Sequence, residues 1–303
     1  MGWIIIILAG GTMLLLAMLM TYVLGRASIA WHVEEDPRVE QVLEALPGAN
    51  CGGCGYANCH EYAEAVVSEE ADIDLCSVGG VSCMTALAKI LGVSAEPSWP
   101  KRPIVHCRAT FDDRLRKTPY HGEQTCSAAN LVAGVQGCTY GCLGLGDCER
   151  SCPFDAIHVI DGLAVVDYDK CTGCGNCVEA CPRNIISMVP FKADRVVAIA
   201  CSNQDPGKAV RAVCKVGCIG CGLCAKSSDL FKMEGNLARL DYEAYEPARE
   251  EELMAAAAKC PMKSIIRIGK PSREDIDAAG DEDIPQPATA DFETTADKAP
   301  YRG

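Results

Sequence analysis

The chain has 303 residues, 28 Lys and Arg against 41 Asp and Glu, and a formal net charge of −13. That balance lacks the basic stripe on which nucleic-acid binding depends. Eight of the 21 cysteines stand in Cys-x2-Cys runs, a pattern of metal ligation in a reducing compartment and not of secreted disulfides.

Residues 2–25 carry no charge and are mostly Ile, Leu, Met, Ala and Gly. The run is long enough to cross a bilayer as a helix. Trp3 and Tyr22 stand near its two ends, where aromatic belts lie. A cleaved signal peptide is the rival reading, but its basic leading region is absent and the apolar run is too long. Residues 1–26 are therefore expected to be a transmembrane anchor. Glu34 to Leu46 is expected to form a short helix.

A four-cysteine domain is expected over 27–95, centred on LPGANCGGCGYANC. Cys51, Cys54, Cys59 and Cys76 follow the spacing x2, x4, x16, and the glycines among them let the backbone curl. EYAEAVV after Cys59 has a helical pattern, and Cys76 returns from beyond it. These four are candidate ligands of an iron–sulfur cluster, with structural zinc as the alternative. Cys83 opens an apolar helix to Leu91 and reads as a core thiol.

A linker region is expected over 96–137, with Cys107 and Cys126 lacking partners at ligand spacing and read first as core thiols. Over 138–190 stands CTYGCLGLGDCERSCP, a strand-like run, then CTGCGNCVEACP. The second part is a Cys-x2-Cys-x2-Cys-x3-Cys-Pro run, whose fourth cysteine serves the other cluster of a pair. This assigns Cys138, Cys142, Cys148 and Cys181 to one [4Fe–4S] cluster and Cys171, Cys174, Cys177 and Cys152 to another. AIHVIDGLAVVDYD between the loops reads as a hairpin turning at Asp161-Gly162. The unit resembles a two-cluster bacterial ferredoxin.

The pattern recurs over 191–270. CKVGCIGCGLC overlies CTYGCLGLGDC, FKMEGNLARLDY copies the hairpin, and Cys260-Pro261 copies Cys181-Pro182. Ser228 stands where Cys152 would, and EPAREEELMAAAA, a run of strong helix formers, replaces the second cysteine loop. The ligands of one cluster are lost together, leaving Cys218, Cys221, Cys224 and Cys260 for a one-cluster module. Cys214 aligns with Cys138 but is left spare, and Cys201 is unassigned. Residues 271–303, rich in Asp, Glu, Ala and Pro, read as a disordered acidic tail.

Together these readings give an α+β chain: an N-terminal transmembrane helix, a small four-cysteine [4Fe–4S] domain and tandem ferredoxin-like modules with four [4Fe–4S] clusters. No P-loop or dinucleotide fingerprint appears, and catalytic residues are not expected. On LPGANCGGCGYANC and GCLGLGDCERSCPFDAI the chain resembles the B subunits of the Rnf complex, an ion-translocating ferredoxin:NAD oxidoreductase. The resemblance covers roughly residues 1–268. It implies a membrane-anchored electron-transfer subunit with its bulk on the cytoplasmic side of the inner membrane. Soluble ferredoxin would donate electrons, and partner subunits would couple their transfer to Na⁺ or H⁺ movement. The nicotinamide site would lie on another subunit. The rivals are an electron-transfer subunit of another membrane oxidoreductase, such as a hydrogenase or dehydrogenase, and an iron–sulfur redox sensor.

Overall fold

An uninterrupted helix, α1 (Gly2–Ala30), opens the computed structural model, which describes residues 2–30, 36–94, 99–115, 118 and 120–270. Its mean hydropathy reaches 2.5 and no part of the apolar window is buried against the rest of the chain. At about 1.5 Å rise per residue it is long enough to cross a bilayer's hydrocarbon core. Trp3 and Tyr22 are both exposed on it.

Three helices build the four-cysteine domain: α2 (Pro37–Ala45), α3 (Cys59–Val67) and α4 (Gly80–Leu91). The helix expected over 34–46 is α2; Glu34 and Glu35 lie outside the described residues. Asp36 caps α2 with Pro37 at its first position, and Asn58 Oδ1 caps α3 by accepting Glu61 N–H at 2.9 Å. Their apolar faces close a core of Val42, Tyr62, Val66 and Leu87, with Cys83 buried among them as expected. Tyr62 satisfies its buried hydroxyl by donating to Asp72 O at 2.8 Å.

Two copies of one unit follow. In the first, β1 (Lys101–Val105) pairs antiparallel with β4 (Ile186–Pro190), and β2 (Ile157–Ile160) forms a hairpin with β3 (Leu163–Val166). Short helices α5 (Cys126–Asn130), α6 (Asp147–Arg150) and α7 (Asn176–Glu179) flank the cysteine loops. The hairpin turns at Asp161-Gly162, at φ 48° and 75°, where glycine is at home.

In the second copy, after β5 (Arg195–Ile199) and α8 (Gly207–Val213), come α9 (Leu223–Ser227), β6 (Phe231–Glu234), β7 (Leu237–Leu240), α10 (Glu250–Ala258) and β8 (Ile265–Gly269). β5 pairs with β8 and β6 with β7. Val196, Val197, Phe231, Leu237, Tyr245 and Leu253 form the core.

The stretch expected as a linker over 96–137 is not bare connection. Its described part contributes β1, which completes the first unit's two-stranded sheet. Pro103 disguises the strand. It is tolerated because each strand of a two-stranded sheet has a free edge. The tail expected over 271–303 lies outside the described residues.

Candidate metal centres

Three short helices present a cysteine in the same way. Gly146, Gly175 and Gly222 cap α6, α7 and α9 at φ 82°, 88° and 67°. That left-handed turn favours glycine, and it throws Cys148, Cys177 and Cys224, two residues on, into the protein, where all three are buried.

Cys51, Cys54, Cys59 and Cys76 line one cavity of about 360 Å³. Cys152, Cys171, Cys174 and Cys177 line a second of about 320 Å³. Cys218, Cys221, Cys224 and Cys260 line a third of about 380 Å³. The first two cavities adjoin: Cys174 lines both, and Asn176 Nδ2 donates to Cys51 O at 3.1 Å.

The quartet expected at Cys138, Cys142, Cys148 and Cys181 is not brought together. Cys142, Cys148 and Cys181 line a fourth cavity, about 340 Å³, with Cys126 as the remaining thiol. Cys138 lies on a different cavity. The cause is local. Asp147 accepts the N–H groups of Cys126 and Ser127 at 2.8 and 2.9 Å and the Ser127 hydroxyl at 2.7 Å, tying α5 to the turn that carries Cys148. Arg183 Nη1 and Gln136 Nε2 both donate to the carbonyls of Cys138 and Gly141, fixing the loop that turns the Cys138 thiol the other way. Cys126 has no cysteine at ligand spacing, so local sequence could not reveal it. The alignment of Cys138 with Cys214, and not with Cys221, was the sign in the sequence that set Cys138 apart, and the two line one cavity.

Burial pushes the Cys177 thiol up to about 12. It does the same to Cys142, with Cys107 nearby adding to the effect, and it raises Cys148 further. Without a cation these thiols stay protonated, so loading iron must release their protons. Cys76 is the exception. A hydrogen bond with Cys83 lowers it to about 6, and the same bond with burial raises Cys83. Backbone N–H groups of Gly79 and Ala156 point at Cys76 and Cys152 Sγ, each at 3.4 Å.

All 21 cysteines are free thiols. Among the described residues no three His, Cys, Asp or Glu side chains converge closely enough to hold one ion. Four thiols spread around a common volume suit a cubane, which takes one thiolate at each iron corner.

Comparison with known proteins agrees with this chemistry. Residues 46–78 match the family model for a putative Fe–S cluster, 164–187 a 4Fe-4S binding domain, and 213–267 the 4Fe-4S single cluster domain of ferredoxin I. The chain is 42% identical over 251 residues to the B subunit of the Na(+)-translocating ferredoxin:NAD(+) oxidoreductase complex of Acetobacterium woodii, covering 80% of this chain and 73% of the relative. It is 39% identical to the B subunit of the proton-translocating ferredoxin:NAD(+) oxidoreductase complex of Clostridium ljungdahlii, covering 88% and 94%. The B subunit of the ion-translocating oxidoreductase complex of Methanosarcina acetivorans is 37% identical, with 79% and 89% covered. With these relatives matched over most of their own length, the chain belongs to the family of B subunits of the Rnf ion-translocating oxidoreductase complexes and is an iron–sulfur electron-transfer subunit.

Proposed function

We propose that this subunit conducts electrons from soluble ferredoxin, through its ferredoxin modules, to the cluster of the four-cysteine domain. From there they pass to membrane partner subunits that couple their onward transfer to NAD with Na⁺ or H⁺ translocation. Four [4Fe–4S] clusters would be held by Cys51, Cys54, Cys59 and Cys76; by Cys152, Cys171, Cys174 and Cys177; by Cys126, Cys142, Cys148 and Cys181; and by Cys218, Cys221, Cys224 and Cys260. Each cluster supplies a reversible one-electron change, and the protein tunes it through burial and hydrogen bonds to sulfur. The helix α1 is read as a single-pass anchor in the plasma membrane with the bulk of the chain on the cytoplasmic side. The first ferredoxin-like module is read as beginning at β1. The nicotinamide site is assigned to another subunit.

The observation that supports this order is the wall shared through Cys174, which sets the two centres side by side. It joins the first ferredoxin module to the domain that follows the apolar helix, so the last carrier before the membrane is the Cys51–Cys76 centre. Replacing Cys59 with Ala in the assembled complex should abolish ferredoxin-driven NAD reduction while the other clusters still bleach on adding reduced ferredoxin. If those clusters stay oxidised as well, electrons enter at the four-cysteine domain and the order is reversed.

A further inference from the structure

The largest of the five thiol-lined cavities holds none of those four quartets. It measures about 480 Å³ and is lined by Cys107, Cys138, Cys201 and Cys214, with Arg114, His106 and Asn203 among its other walls. We infer that these four thiols hold a fifth [4Fe–4S] cluster, placed between the two ferredoxin modules; the inference rests on the iron–sulfur reading of the other four cavities.

Three independent observations carry it. The first is symmetry. Cys107 stands two residues past the end of β1 and Cys201 two residues past the end of β5. The residue before each donates its backbone N–H across its own sheet, His106 to Ile185 O at 2.7 Å and Ala200 to Ser264 O at 2.8 Å. Cys138 and Cys214 are the first cysteines of the repeated loops. Each module therefore contributes an equivalent pair of thiols to one chamber, an arrangement that four unrelated core cysteines have no reason to adopt.

The second observation is charge. Arg114, one of the residues lining the cavity, is more than nine-tenths buried; its Nη2 donates to Ala109 O and Gly162 O, and its buried Nη1 has no hydrogen-bond partner. A buried guanidinium with an idle donor is costly. Four thiolates and a cubane core carry net negative charge, which Arg114 would offset. Sulfur-directed donors are already in place: Asn203 Nδ2 to Cys138 Sγ at 3.4 Å and Cys218 N–H to Cys201 Sγ at 3.2 Å. His106 is not free to be a ligand, since its two ring nitrogens bond Ile199 O and Ser187 Oγ.

The third is continuity. Cys218, a thiol of the C-terminal cavity, donates its backbone N–H to Cys201, while Gly141 of the fifth cavity directly precedes Cys142 of the fourth. The site thus bridges the one-cluster module and the rest of the row. An electron would step one at a time from either neighbour onto this centre and off to the other, with no proton or further reactant consumed. With it, 20 of the 21 cysteines face a cavity in quartets, and Cys83 alone stays a core thiol.

The test is the metal content of the full-length chain prepared anaerobically, alone and as the Cys201→Ser/Cys214→Ser double variant. Five cubanes give about 20 irons and as many sulfides per chain, four give about 16. We expect the wild type at the higher value and the variant lower by about four, with one cluster's worth of intensity lost from the low-temperature EPR of the dithionite-reduced protein. A wild type at about 16 that the double substitution does not change, or that carries one zinc besides, overturns the fifth centre and leaves the other four standing. A wild type with little or no iron overturns both readings. If the double variant does not fold, the wild-type count still decides. Arg114→Gln, which removes no thiol, should keep every iron and lower most the potential of the cluster that the double variant loses, with a smaller shift at the neighbouring Cys142 cluster; unchanged potentials would argue against the site.

Discussion

At the scale of single residues, the proposed ligands depend on neighbours outside their quartets. Asp147 holds Cys126 beside Cys148 by accepting three hydrogen bonds from the first turn of α5. Burial pushes its carboxyl up, but bonds from the Ser127 hydroxyl and from the Cys126 and Ser127 N–H groups outweigh that and leave it below its usual range. A carboxylate with a depressed pKa contributes stability that is complete above about pH 4, its unfolded value, and drains away as pH falls towards the folded one. Asp147→Asn should therefore cost about 1.5–3 kcal/mol at neutral pH, the range for hydrogen bonds to a charged group. Urea unfolding of the two proteins should show a constant gap from pH 8 to about 4 that narrows only below it. Cys83 plays the corresponding part for Cys76 through its hydrogen bond. Hydrogen bonds to cluster sulfurs help set the reduction potential, so Cys83→Ala should keep the iron of the four-cysteine domain and make that one centre harder to reduce in an EPR-monitored titration.

At the scale of elements, the second module explains how a cluster site is replaced. Tyr245, aligned with Cys171, is fully buried, as are Leu253 and Ala256 of α10, while Ser228 occupies the place of Cys152. Apolar side chains fill the space that the first module keeps as a thiol-lined chamber, so the loss of four ligands costs no core. That substitution was legible in the sequence because its signals are local: a run of helix formers, a missing Cys-Pro and a hairpin repeated around Gly235. The helices around Cys59 and Cys83 and the turn at Asp161-Gly162 were legible for the same reason. The sheets β1·β4 and β5·β8 were not. Each joins strands far apart in the chain, such as Lys101 opposite Pro190, and no turn announces them. The expected grouping of Cys138 with Cys142, Cys148 and Cys181, which line a cavity with Cys126 instead, follows from that gap. Reading residues 101–107 as linker left Cys107 without a strand to position it, and a thiol without a position cannot be matched to a partner.

On the scale of the whole molecule, a row of carriers works only if its units are held in contact, and one residue exposes how close that contact is. Gly53 lies in the first cysteine loop, and a methyl group added there would fall 2.4 Å from the carbonyl oxygen of Cys174 in the first ferredoxin module. The obstacle is backbone, so it cannot swing aside as a side chain would. Gly53→Ala must move the four-cysteine domain away from the module or distort both loops, and separating two bodies is the cheaper response because each keeps its own core. The Asn176–Cys51 bond would lengthen with it. All four thiols on each side remain, so iron content should stay that of the wild type, whereas transfer between the two centres should slow by an order of magnitude or more. Rapid-mixing reduction by ferredoxin reads the difference: the ferredoxin-module clusters should bleach at the normal rate and the Cys51–Cys76 centre should lag behind them. Gly48→Ala, at a glycine with open space around its Cβ position but a left-handed φ of 66°, controls for backbone strain in the loop without a clash against Cys174. If the two variants transfer electrons equally fast, close packing at Cys174 does not set the rate between the two centres.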